Sequence, residues 1–168
     1  MKRFAIKEFE EILEIDVQDH MGVCYELMAT YCNLEEFDKA KNFFECEQME
    51  YHEEDLMIVP MMTVSLMTGH IEDADFYFDL LYAKNPEFEN YLKMIEQGDE
   101  ERLVAETLKV NPILFEANSM QSLLMVFNQV VDLSQSEYYF TWLIEKYRAK
   151  TSTKTCCEKE KSRIAQTN

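Results

Sequence analysis

Glycine and proline are scarce, with three of each in 168 residues. Sandwiches and barrels need turn residues every few positions, so this shortage excludes the turn-rich all-β classes. The glycines stand far apart, at 22, 69 and 98, and make no phosphate-cradling loop. Long apolar runs are missing as well, none approaching the roughly 18 residues that a bilayer span requires. The start, Met1-Lys2-Arg3-Phe4-Ala5-Ile6-Lys7-Glu8, turns acidic before an apolar h-region forms, so no signal peptide is expected. The five cysteines are odd in number and lack paired spacing, which argues against a disulfide framework and for a reducing cytoplasm. Positive charge is the last deficit. Sixteen Lys and Arg face 33 Asp and Glu, a net charge of −17 that excludes ordinary binding to a phosphate backbone.

Apolar residues reach 47%, enough for a packed core, and Ala, Leu, Glu, Met and Phe favour helix. The charge is uneven. Residues 149–168 hold Lys150, Lys154, Lys159, Lys161 and Arg163 against Glu158 and Glu160. The expected picture is one acidic helical domain over 1–148 followed by a basic polar tail, mobile or forming a loosely attached helix.

Hydrophobic spacing is helical nearly throughout. Phe4, Phe9, Ile12 and Leu13 mark a first helix that ends around Asp16–Asp19. Helices over 21–31 and 36–46 follow. The stretch 55–67 is the most apolar and reads as a buried helix, with Pro60 expected to kink it and Gly69 to stop it. A helix over 71–83 closes at Asn85-Pro86. Weaker signals give a turn of helix at 91–95, a short helix at 100–109, and a final pair at 120–131 and 137–147. Ser134 with Glu137 has the spacing of a capping box.

A shift of 34 residues brings the chain into register with itself. Phe37 falls on Ile71, Ala40 on Ala74, Phe43 on Tyr77, Phe44 on Phe78, Leu27 on Met61 and Met28 on Met62. The segment Leu27-Met28-Ala29-Thr30-Tyr31, followed by Phe37-Asp38-Lys39-Ala40-Lys41-Asn42-Phe43-Phe44, resembles the tetratricopeptide repeat (TPR). In the second unit Gly69, Ala74, Phe78 and Pro86 look like that repeat's turn glycine, alanine, phenylalanine and closing proline. Clear repeats cover about 21–52 and 55–86, with further helices over 100–148. The departures are Glu35 in place of the turn glycine, His52 in place of the proline, and Met62 and Ser65 at the small and tyrosine positions. No third full repeat is readable after Pro86. Asn85-Pro86, Tyr91-Leu92 and Trp142-Leu143 add a similarity to small bacterial TPR-like proteins of unassigned function.

The resemblance implies an all-α fold, with antiparallel helix pairs stacked as a short right-handed solenoid. It also implies a concave groove lined by the first helix of each pair, binding a protein or peptide partner. The groove positions would be Gly22, Tyr25, Ala29, Cys32 and Asn33, then Leu56, Val59, Thr63, Leu66 and Met67, an apolar surface with an acidic rim at Glu26 and Asp55. The alternative is that these residues are core, packed beneath the C-terminal helices. Two functional readings follow: an adaptor acting through the groove, or an acidic chaperone or immunity-type inhibitor that binds a basic partner as a nucleic-acid mimic would. Open solenoid ends also leave homodimerisation as an option.

No catalytic residue, cofactor or metal is expected. His20, Cys24 and Cys32 have helical spacing but no completing pair, and cysteine among apolar neighbours is usually a small buried hydrophobe. Cys156-Cys157 has lysine neighbours but no second shell to orient it. The paired carboxylates, such as Glu10-Glu11 and Glu53-Glu54-Asp55, fall at helix starts and on solvent faces, where they complement the helix dipole.

Overall fold

The computed structural model describes residues 2–46, 53–111, 115–130 and 136–165, with 2, 136 and 153–165 as backbone. Among these every regular element is an α-helix, as the sequence predicts. In chain order they are α1 (Lys2–Ile15), α2 (Val23–Asn33), α3 (Phe37–Phe44), α4 (Asp55–Met67) and α5 (Ile71–Lys84). After these come α6 (Phe88–Gln97), α7 (Glu100–Thr107), α8 (Met120–Val130) and α9 (Ser136–Ala165). No described helix is long and apolar enough to cross a membrane.

Two helical hairpins, α2–α3 and α4–α5, carry the 34-residue period into the backbone. At the end of α2 the amides of Leu34, Glu35 and Glu36 donate to the carbonyls of Thr30, Cys32 and Tyr31. At the end of α4 those of Thr68, Gly69 and His70 donate to Val64, Leu66 and Ser65, each partner 34 residues on. The bond spanning five residues, Glu36 to Tyr31 and His70 to Ser65, is the mark of a Schellman turn. Such a turn needs one left-handed residue. Gly69 supplies it at φ 83°, while Glu35 is held there at φ 56°. Ala40 and Ala74 are both fully buried, so each second helix can lie close to its first.

A third hairpin, α6–α7, turns in the same way. Gly98 sits at φ 64° and the Asp99 amide donates to the Met94 carbonyl at 3.0 Å. It lies 29 residues after Gly69 rather than 34, so a search at fixed period passes over it. The single turn expected at 91–95 is a ten-residue helix in the structure.

The centre of the molecule is α4. Every residue from Asp55 to Leu66 is buried, as expected from its composition. Its hydroxyls would be orphaned there, and they bond back along the helix: Thr63 Oγ1 to the Val59 carbonyl at 2.8 Å and Ser65 Oγ to that of Met61 at 2.6 Å. Pro60 stays inside an unbroken helix, on its second turn. Around α4 pack α2, α3, α5 and α8. One contiguous core runs from Ile6 in α1 to Tyr147 in α9, with Phe78, Phe88, Phe127, Tyr139 and Trp142 forming an aromatic cluster between hairpins and C-terminal helices.

At the C-terminus α9 continues past the expected end at 147 to Ala165. Its middle is tied down: Lys146 pairs with Asp75 at 2.5 Å, Lys150 with Asp79 at 2.9 Å, and Arg148 with Glu96 at 2.7 Å. The side chains of the basic tail beyond 152, His52, and Ser134 of the expected capping box lie outside the described residues.

Candidate functional site: a closed groove and an acidic exterior

The structure brings the expected groove residues together, but under cover. Ala29, Cys32, Leu56, Val59, Thr63 and Leu66 are all at least 96% buried. Gly22, Tyr25 and Met67 are half-buried and only Asn33 is exposed. What covers them is α8, packed along α4 and touching α2, and α9, whose Tyr139 hydroxyl meets Thr63 Oγ1 at 2.9 Å. Asn33 and Glu26 are themselves engaged by α8: Asn33 Nδ2 donates to the Gln129 carbonyl at 3.4 Å, and Gln129 Nε2 donates to Glu26 at 3.1 Å. The Tyr25 hydroxyl donates to Glu54. An open apolar groove at these positions is therefore not what the chain presents, and of the two readings the packed-core one describes them.

The acidic rim is corrected in the same way. Asp55 is not on a rim but completely buried, at the junction of α4, α5 and α8. Its Oδ2 accepts from Asn85 Nδ2 at 2.8 Å and Ser122 Oγ at 2.6 Å, and its Oδ1 from the Asn118 amide at 3.0 Å. Asn118 Oδ1 returns the bond by accepting from the Asp55 amide at 3.0 Å. Asn118 pays for this reciprocity by standing in the left-handed region at φ 59°. Burial pushes the Asp55 carboxyl above its ordinary range, and the bonds from Ser122, Asn118 and Asn85 oppose that shift. The arrangement is a clasp that fastens α8 across α4. No spacing rule joins residues 55, 85, 118 and 122, and the polar character of Asn118-Ser119 before an apolar helix was the only local hint.

The groups with possible reactivity are engaged in holding the fold. Buried Asp19, in the turn before α2, accepts from the Val23 and Cys24 amides at 2.7 and 2.9 Å and thereby caps the helix. Burial and the neighbouring Asp19 raise the Cys24 thiol far above its usual range, which removes nucleophilic character. His20 points outward to Asp16, with Nδ1 2.7 Å from the carboxylate, so the structure separates it from buried Cys24 and Cys32. Among the described residues no three metal-type side chains converge. An open recess of about 660 Å³ lies between α6, α7 and the start of α8, lined by Glu87, Glu106, Phe115, Glu116, Ser119, Met120 and Gln121. Lys109 pairs with Glu106 and Asn90 with Glu87 at its edge.

Outside this interior the molecule presents carboxylates and a few solvated apolar side chains. The largest exposures are Ile15 (87%), Leu108 (82%), Met21 (79%), Phe4 (78%) and Val17 (71%), four of them in or just after α1. No family model, curated protein or solved structure matches this chain.

Proposed function

We propose that this chain is a non-enzymatic protein-interaction module built on TPR-like helical hairpins, and that it engages a basic protein partner through its acidic exterior. The observation that carries this reading is the clasped α8. With Leu56, Val59 and Thr63 buried beneath α8 and α9, capture of a peptide in the concave face would require breaking the Asp55 clasp and exposing a largely apolar helix. The surface that remains available is dominated by carboxylates in a chain of net charge −17. The repeated Schellman turns and the buried Ala40 and Ala74 support the TPR-like part of the proposal, which rests on the 34-residue register. A chaperone of a basic protein and an immunity-type inhibitor acting as a nucleic-acid mimic share this mode of contact; an adaptor acting through the groove does not.

Affinity enrichment with the full chain from native lysate tests it, run at about 0.1 M and about 1 M salt. Over that range the Debye length contracts from about 10 Å to about 3 Å. A basic protein retained at the lower salt and released at the higher is the expected result. A partner held equally at both, and lost when Tyr25→Ala loosens the α2–α4 contact, would restore groove binding and overturn the proposal.

A further inference from the structure

The outer face of α1 carries a pattern that the fold does not use. The helix packs on α2 through Ile6, Phe9 and Leu13, its inward stripe. Diametrically opposite, at spacings of four, three and four, stand Phe4, Glu8, Glu11 and Ile15. These are the core spacings of a two-helix seam. Phe4 is 78% and Ile15 87% exposed, and Ile12 flanks them on one side. At 1.5 Å rise per residue the two apolar ends lie about 16 Å apart along the axis, with two carboxylates between them. A single solvated apolar side chain is ordinary. Two at seam register, bracketing two acids on the face opposite the core, form a directional surface.

We propose that this face docks a basic amphipathic α-helix of a partner protein, with apolar side chains at its two outer seam positions and Lys or Arg at the two central ones. The proposal rests on the acidic-exterior reading and locates it. Charge complementarity selects the occupant. A second copy paired antiparallel would set Phe4 on Ile15 of its mate, but it would also bring Glu8 against Glu11 twice, between two bodies of net charge −17 each. A helix with central cations meets the same apolar ends and relieves the carboxylates instead. The ion pair between Lys7 and Glu11, at 3.4 Å, is itself exposed, and so is Glu8.

The test uses the full chain and a labelled synthetic helix of about 18 residues, roughly five turns, with Leu at the outer seam positions and Lys at the central pair. A control peptide carries Glu at the central pair. Anisotropy should show the Lys peptide bound and the Glu peptide not. Glu8→Lys with Glu11→Lys should invert that preference by about tenfold or more, and Phe4→Ser with Ile15→Ser should weaken the Lys peptide by a similar factor. Because all four side chains are solvent-facing, both variants should keep the wild-type helicity and a cooperative melt, which separates lost docking from lost fold. Equal binding by wild type and either variant overturns the seam. If a lysate partner is then still retained in a salt-sensitive manner, the acidic-exterior reading stands without it. A wild-type dimer in sedimentation that Phe4→Ser with Ile15→Ser dissociates would assign the face to a second copy and overturn the basic-helix proposal.

Discussion

At the scale of single residues, Asp55 decides the most. Three donors converge on a carboxylate with no solvent exposure, so its removal takes the Asn118 amide's acceptor away and leaves Ser122 and Asn85 to share the Ser119 carbonyl. Asp55→Ala should cost about 3 kcal/mol or more, seen as a lower urea midpoint at unchanged slope. The pH dependence has a definite sign. A carboxyl whose folded pKa is raised binds its proton more tightly in the folded state, so its contribution to stability falls as pH rises from the ordinary 3.8 to the raised folded value. Asp55→Asn abolishes that dependence. The stability of the Asn variant relative to wild type should therefore increase with pH across that window and then level off, and urea titrations of both proteins from about pH 4 to 7 would read it. Constant relative stability would mean that the clasp does not feel its burial. Cys24 and Cys32, both buried, should resist thiol labelling until denaturant is added, as peptide mass mapping would show.

At the scale of elements, the two Schellman turns offer a matched pair of substitutions. Glu35 occupies a left-handed position that its counterpart Gly69 fills without strain. Glu35→Gly should stabilise by about 0.5–1 kcal/mol, the relief of the backbone penalty less the added freedom of the unfolded chain. Gly69→Ala should destabilise by about 1 kcal/mol, and the cause would be backbone conformation alone, since a Cβ there meets nothing within 4 Å. Thermal melts of the two variants moving in opposite directions are the expected result. The same turns explain what was legible in the sequence. Helix existence and most boundaries follow from local spacing, so 55–67 is predicted to the residue and 71–83 within one. The third hairpin was missed because its shorter period hides from a 34-residue shift, although Gly98 held the same turn position as Gly69. The sequence leaves the stretch after 148 open between a mobile tail and a loosely attached helix because its residues lack an apolar stripe; the structure continues it as α9.

At the scale of the whole molecule, a net charge of −17 on 168 residues repels itself. Added salt should screen that repulsion, so the melting temperature should rise between about 0.01 M and 0.5 M sodium chloride; a fall would mean that the ion pairs from α9 to α5 and α6 outweigh it. The expected groove failed at this scale. Repeat spacing singles out residues on the first helix of each hairpin but says nothing of what packs over them, and the residues that fasten α8 there are scattered over nearly seventy positions. This scatter also has a consequence for synthesis. The largely apolar α4 leaves the ribosome well before α8, its cover, has been made, and at about 5–20 residues per second that interval lasts several seconds. Through it the nascent chain carries a naked hydrophobic helix with a half-built clasp, so newly made protein, rather than the finished molecule, is the form that should depend on chaperones.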